Sequence, residues 1–343
     1  MRLHITTPDG ENFLAAFAQT VGSRVENGRV SIPAEYGSGY VLGFLFGNYL
    51  RLIVRHYYLY EEMLIKRESF NLPATMIQIA FNGILKEDQP EPANGDKSRK
   101  PLPSVIISTQ GLTAEEHIPG GVNFNLIKLA VDPAYLRELV SPEVDNLVIR
   151  TILDNNQPLI FEELVSPRLQ EVVSDMIATP VVASLQRFFY KLKAEELICY
   201  LLMELVQRQD SSLQPINITD LKALYMVRDN LISNLVEAPP LPNLAILAGM
   251  SLSKLKRLFK QVFGSGPYSY YQTMRMKEAA RLLQQNQLSV SEVGYRLGFS
   301  NLSHFTRMFE QHIGMKPKKF SRLYQSSNRQ AFQTPVPDSR QTK

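Results

Sequence analysis

The sequence predicts an α+β chain in two parts, an antiparallel sheet with helices followed by an all-helical segment. Three observations carry that prediction. Runs rich in aromatic and β-branched residues, alternating apolar with polar, recur between 36 and 131, as half-buried strands require. From Asp132-Pro133 onward the apolar residues take helical spacing. Between 241 and 325 one pattern is written twice, and a repeat of this length marks a duplicated supersecondary unit.

In chain order, ENFLAAFAQTVG reads as an amphipathic helix ended near Gly22, and Asn27-Gly28 as a hairpin turn between short strands. YVLGFLFGNYLRLIVRHYYLY, EEMLIKRES and TMIQIAFNGIL read as strands, with turns at Gly47-Asn48, Glu61-Glu62 and Asn71–Pro73. Residues 86–103 are polar and rich in Pro and Gly, which predicts an exposed loop. Strands resume at SVIISTQ and VNFNLIKLAV, with Gly120-Gly121 between them. AYLRELV, VDNLVIRTIL, SPRLQEVVSDMIA and the long run 185–208 read as helices, the last with Leu197, Leu201 and Leu205 in a core stripe or a dimer seam. The domain reading is 1–208, a linker over 209–218, a helical domain over 219–325 with Thr219 as its candidate cap, and a disordered tail over 326–343.

The first copy of the repeat runs Leu244, Ala245, Ala248, Gly249, Leu252, Ser253, Leu255, Arg257, Phe259, Gly264, Pro267 and Tyr270. The second runs Val293, Gly294, Leu297, Gly298, Leu302, Ser303, Phe305, Arg307, Phe309, Gly314, Pro317 and Phe320. Each reads as a short helix, a turn on glycine and a second helix, which is the helix-turn-helix pattern. Ser251 and Asn301 are candidate N-caps of the second helices, and Gly264 and Gly314 mark their ends. On a helical projection Leu252, Leu255, Phe259 and Val262 share one arc, and Ser253, Lys256, Arg257 and Lys260 share another. In the second copy Leu302, Phe305, Phe309 and Ile313 oppose Ser303, Thr306, Arg307 and Glu310.

A recognition helix reads base edges in the major groove. Arginine suits that task because its planar fork donates twice to guanine, whereas Lys256 and Lys260 suit phosphates. Glu310 repels the DNA backbone, so weaker docking is expected of the second unit. Residues 268–286 predict one connecting helix; about 18 residues at about 1.5 Å give roughly 27 Å, against a groove repeat of about 34 Å. Charge is segregated in the same sense: 1–214 carry −7, 215–325 carry +9 and the tail +2, which aims a polyanion partner at the repeat alone.

The stretch from GMSLSKLKRLFKQVFG to GFSNLSHFTRMFEQHIGMKPKKF resembles the DNA-binding domain of the AraC/XylS regulators, and the resemblance spans about 220–325. It implies seven helices, two helix-turn-helix units joined by a central helix, and base contacts from Ser253, Lys256, Arg257, Ser303, Thr306 and Arg307. Gly294 stands where the family often has alanine, and Glu310 where it often has lysine. The N-terminal order of strands then helices resembles the effector domain of many such regulators, which implies a cupin-like barrel. The expected protein is thus a homodimeric transcription activator partnering double-stranded DNA, RNA polymerase and a small-molecule effector. Reading the N-terminal part as a dimerisation module alone is the alternative.

No glycine-rich phosphate loop or nucleophile motif is written, and no histidine pair has metal-ligand spacing, so neither a catalytic residue, a metal nor a cofactor is expected. His117 is read as lying on an exposed turn, and Tyr57, Tyr58 and Tyr60 as an aromatic strand packed in the core or lining a pocket. The single cysteine, Cys199, is read as a buried small hydrophobe; an enzyme reading, alkyl transfer to Cys199, requires the opposite. One cysteine, no basic-then-apolar leader and no long apolar run suit a soluble protein of the reducing cytoplasm, with no membrane partner.

Overall fold

A computed structural model of the chain describes residues 3–7, 13–67, 76–84, 103–108, 115–140, 146–154, 159–208, 213–285 and 288–323. The chain divides into two compact units, Met1–Ile218 and Thr219–Lys343. Among the described residues no helix is long and apolar enough to cross a membrane.

The first unit opens with β1 (Leu3–Thr7), α1 (Phe13–Thr20), β2 (Arg29–Ser31), β3 (Gly37–Phe46), β4 (Leu50–Leu59) and β5 (Met63–Arg67). It continues with β6 (Ile77–Asn82), β7 (Ser104–Ser108), β8 (Glu115–Ile118) and β9 (Asn123–Val131). Then come α2 (Pro133–Leu139), α3 (Leu147–Asp154), β10 (Ile160–Leu164), α4 (Pro167–Ala178) and α5 (Ala183–Leu205). Seven strands form one antiparallel sheet in the order β10-β7-β6-β9-β4-β3-β2, and β1-β5-β8 form a second.

Side-chain alternation gives the large sheet two apolar faces. One carries Leu52, Val54, Ile79, Val105, Ile127, Leu129 and Phe161 against Val148, Ile152, Leu169, Val172, Leu197 and Leu201 of the helices. The other packs Val41, Tyr57 and Leu59 against Phe13, Leu14 and Phe17 of α1 and against Met63, Ile65 and Ile118 of the small sheet. Each such fully buried side chain contributes roughly 1.5–3 kcal/mol.

Several expectations change here. Among the described residues the large sheet is not closed: it ends at β10 and β2, where the resemblance implied a cupin-like barrel, and β1 pairs with β5 in parallel. Three strands escape the sequence reading, β1 at the start of the chain among them. β8 lies within what reads as a turn region, and β10 interrupts the helical run to pair with β7. His117 therefore sits on a strand, its Nε2 2.7 Å from the Glu62 carboxylate. Asn27 and Gly28 do turn the chain, with φ of 49° and 75°, but Glu26 makes only a single bridge to Arg29. The strand that follows pairs with β3. Tyr57 is buried and Tyr60 is 58% exposed. Cys199 is exposed, because the buried stripe of α5 is Ala194, Leu197, Ile198, Leu201 and Leu205. The turn at Asn71–Pro73, most of the 86–103 loop and the tail beyond 323 lie outside the described residues.

The second unit is helical: α6 (Ile218–Ser233), α7 (Leu241–Leu247), α8 (Leu252–Phe263), α9 (Pro267–Gln284), α10 (Val290–Arg296) and α11 (Leu302–Ile313). Residues 317–323 are helical as well. Thr219 lies inside α6 and is not its cap. Ser251 accepts from the Lys254 amide, and Asn301 from those of Ser303 and His304. Ser289 and Glu292 close a capping box on α10.

Gly249 and Gly298 take φ of 61° and 79° in the two turns, a region that costs other residues roughly 1–2 kcal/mol. A Cβ on Gly249 meets nothing within 4 Å, whereas one on Gly298 falls 2.6 Å from the Val236 carbonyl oxygen. Gly249→Ala is therefore expected to cost about 1–2 kcal/mol. Gly298→Ala adds a backbone clash and is expected to exceed it by at least about 1 kcal/mol. Scanning calorimetry of the two variants checks this; equal shifts would mean that the Val236 segment moves aside freely.

Candidate nucleic-acid interface

The paired helices α8 and α11 each turn one face inward and one to solvent. In α8, Leu255, Phe259 and Val262 are fully buried, and Ser253, Lys256, Arg257 and Lys260 are all exposed. Leu252 was placed with the apolar arc by its spacing. It is instead 36% exposed and lines a shallow surface depression with Ser253, Lys256 and Arg257. The first turn of a helix has no preceding turn beneath it, so its apolar residue is left at the rim. Lys254 points elsewhere: its Nζ lies 2.8 Å from the Asp220 carboxylate and ties α8 to α6.

In α11, Phe305 and Phe309 are buried. Ser303 and Arg307 are exposed, Thr306 is half-buried and Glu310 is exposed. The outer faces thus differ in charge. The α8 sequence holds four cations and no carboxylate, whereas α11 sets Glu310 one turn beyond Thr306 and Arg307. His312 turns toward α9, its Nδ1 3.4 Å from the Thr273 hydroxyl, and burial holds it below the usual imidazole range.

What fixes α11 is α9, which buries Tyr270, Tyr271, Met274, Met276, Ala279 and Leu283. Between those methionines stands Arg275, only 8% exposed. Its Nε and Nη2 donate to the Leu297 carbonyl at 2.9 and 2.5 Å, and its guanidinium lies 3.9 Å from the centre of the Phe299 ring. Leu297 is the residue after α10 and just before Gly298. Arg275 thus caps an orphan carbonyl of α10 and clamps the turn that leads into α11. Desolvation lowers its pKa from the ordinary arginine value.

Gly294 has a packing reason. A Cβ there falls 2.7 Å from Leu302 Cδ2 and 3.2 Å from the Phe305 ring. In the first unit the matching residues are Ala245 and Leu255, both buried. A larger residue on the second helix is matched by a smaller one on the first, and the two units keep the same outline. Sequence reading singled out neither Arg275 nor Lys254. The one signal for Arg275 is a charge flanked by Met274 and Met276 in a helix that otherwise keeps its charges to one side.

Two helix-turn-helix units on one connecting helix define a double helix-turn-helix DNA-binding domain. A helix-turn-helix domain family model matches residues 244–323, and the model of the regulatory protein PchR N-terminal domain matches 78–216. The chain is 39% identical over 79 residues to the HTH-type transcriptional regulator GlxA of Rhizobium meliloti, covering 23% of this chain and 24% of that protein. It is 35% identical over 69 residues to the transcriptional activator RhaS of Escherichia coli, covering 20% and 25%. Among solved structures, a probable AraC family regulator from Rhodopseudomonas palustris shares 25% identity at a TM-score of 0.28, covering 30% of this chain and 97% of that one. The chain thus spans about a quarter of the length of these curated relatives. Its C-terminal unit is thus an AraC-type helix-turn-helix domain, similar to those of GlxA and RhaS.

The clamp has a measurable consequence. Arg275→Met strands a buried carbonyl and is expected to destabilise the C-terminal unit by about 2–3 kcal/mol. Arg275→Lys should recover only part of that, since an ammonium cannot reproduce the planar fork and stack. Calorimetry with hydrogen exchange over α10 and α11 reads both; full recovery by lysine would show that charge alone holds the turn.

Proposed function

We propose that the protein is a sequence-specific transcription regulator, reading DNA through α8 and α11 and controlled through its N-terminal unit. The observation that carries this reading is the outward face of α8, where Ser253, Lys256, Arg257 and Lys260 stand exposed beside one another. Arg257 reads a guanine edge, Ser253 a base or phosphate, and Lys256 and Lys260 neutralise phosphates. Ser303, Thr306 and Arg307 of α11 do the same in the next groove more weakly, because Glu310 opposes the backbone. The 18-residue α9, roughly 27 Å long, is the spacer between the two. The +9 charge of 215–325 supports the same reading.

A small-molecule effector at the N-terminal unit biases the DNA-binding states. The PchR-type match over 78–216 supports this assignment. Activation through RNA polymerase follows the family resemblance, and RhaS is an activator by name. The site chemistry calls for no catalytic residue, and the protein acts in the cytoplasm.

The protein works as a homodimer paired through α5. Leu185, Leu192, Cys199 and Val206 recur at seven-residue intervals along its outer side, all exposed, with Phe188 and Met203 beside them. Heptad spacing of apolar residues on a helix face that is exposed among the described residues is the pattern of a helix pairing with its twin.

Arg257→Ala is expected to cost about 1–3 kcal/mol at the selected site and far less on random DNA. Equal loss on both would remove the base-reading role. Glu310→Gln is expected to tighten binding and steepen its salt dependence, read by titrating fluorescent duplexes at several salt concentrations. Leu192→Glu is expected to convert the dimer to monomer in sedimentation; an unchanged dimer would place the seam elsewhere.

A further inference from the structure

The outward face of α8 has an apolar member. Leu252 is 36% exposed and lines one surface depression with Ser253, Lys256 and Arg257. Its neighbours on that face, Lys260 among them, are a hydroxyl and three cations, all exposed. Leu252 neither donates nor accepts a hydrogen bond, and its apolar surface stays in water until something apolar covers it.

A place in the first turn does not by itself put a leucine on the surface. Leu302 holds the matching place in α11 and is only half-buried. The two units differ in the helix beneath. A Cβ on Gly294 would fall 2.7 Å from Leu302 Cδ2, well inside the roughly 3.5–4.0 Å at which two carbons rest. Leu302 thus fills the space that a methyl group on α10 would take. In the first unit that methyl is present, since the matching residue is Ala245, buried in α7. Leu252 cannot settle back over α7 as Leu302 does over α10, and it stands out on the polar face instead. A single carbon on the preceding helix decides which leucine is presented.

A leucine among cations on a recognition helix has one natural target. The floor of the major groove is polar except at thymine, whose C5 methyl is read by apolar contact. The N-terminal residues of a recognition helix are those that reach base edges, and Leu252 is the first residue of α8. Lys256, Arg257 and Lys260 draw the same surface onto the duplex. Arg257 follows Leu252 by five residues, about 7.5 Å along the helix, or roughly two base-pair steps of about 3.4 Å.

We propose that Leu252 is a specificity residue, closing on the C5 methyl of a thymine about two base pairs from the guanine that Arg257 reads, and that Ala245 holds it in that position. This rests on the reading of α8 as a base-reading helix, and adds a 5-methylpyrimidine to what that helix selects. Leu302, drawn back over Gly294, makes no such contact, so the two units differ in the bases they accept as well as in charge.

The test uses the full-length protein and the duplex it selects from a random pool. Each thymine is replaced in turn by deoxyuridine, which removes the C5 methyl and keeps every hydrogen bond. For the wild type, one replacement beside the guanine is expected to weaken binding about fourfold, which is what the burial of one methyl group supplies. Leu252→Ala is expected to bind the thymine and deoxyuridine duplexes equally while keeping its preference for the guanine, a preference that also shows the variant to be folded. Arg257→Ala is expected to lose the guanine preference and keep the methyl effect. Ala245→Gly, which gives Leu252 the space that Leu302 has, is expected to reduce the methyl effect by at least about half. Met226→Ala, which removes an exposed apolar side chain from α6, should leave it whole. A selected site indifferent to every methyl, or a methyl effect that survives in Leu252→Ala, would overturn the proposal. A full methyl effect in Ala245→Gly would overturn the part given to Ala245. A protein that selects no sequence at all refutes the DNA-reading assignment itself, a result distinct from the other two.

Discussion

A planar cation buried in the DNA-binding domain holds its second half in place. Arg275 projects from the middle of α9, stacks on Phe299 and donates two hydrogen bonds to the carbonyl of Leu297. Helix ends leave carbonyls unsatisfied, and one buried without a donor costs more than an ordinary hydrogen bond returns. By answering that carbonyl from the connecting helix, the chain makes the turn of the second unit part of α9. The outward aim of Ser303, Thr306 and Arg307 then follows from the direction of a single helix. The first unit is braced differently, by the Lys254–Asp220 ion pair between α8 and α6. A partly exposed pair is worth less than a buried fork, yet α8 carries the more basic face.

The duplicated units show how sequence divergence is absorbed at constant shape. Where the second unit puts Phe305 against the preceding helix, that helix offers Gly294. Where the first puts Leu255, it offers Ala245. Close-packed interiors tolerate such exchanges when total volume is kept. The departure from alanine at Gly294 is thus a packing matter, and only Glu310 changes the charge of the exposed polar face of α11. The same economy governs the N-terminal unit. Its large sheet buries one face under α3, α4 and α5 and packs the other against α1 and the small sheet.

Much of this was legible in the sequence. Glycine at φ > 0, Ser251 and Asn301 as caps, and the opposed faces of α8 and α11 all follow from local rules, since caps, turns and helical periodicity involve residues within one or two turns of each other. The long strands β3, β4 and β9 were readable because each is a run of nine or ten residues rich in aromatic and branched apolar side chains, with alternation clear in β4. β8 and β10 were not, because four or five residues carry too little periodicity and their pairing partners are distant in the chain. Leu252 was misplaced by a projection that knows which residues share an arc and not what packs against it, and Cys199 by an apolar run that does not say which side of the helix is covered.

By itself the sequence determined the duplicated helix-turn-helix domain, its caps and turns, and which residues of α8 and α11 share a polar face, because those are short-range properties of a helical chain. Tertiary structure alone decided that the large sheet ends at β10 and β2 among the described residues, that Arg275 is spent on a carbonyl, and that Lys254 pairs with Asp220. Each of these depends on register and burial between elements far apart in the chain, and pairing across such distances is set by the packed whole and not by any local pattern.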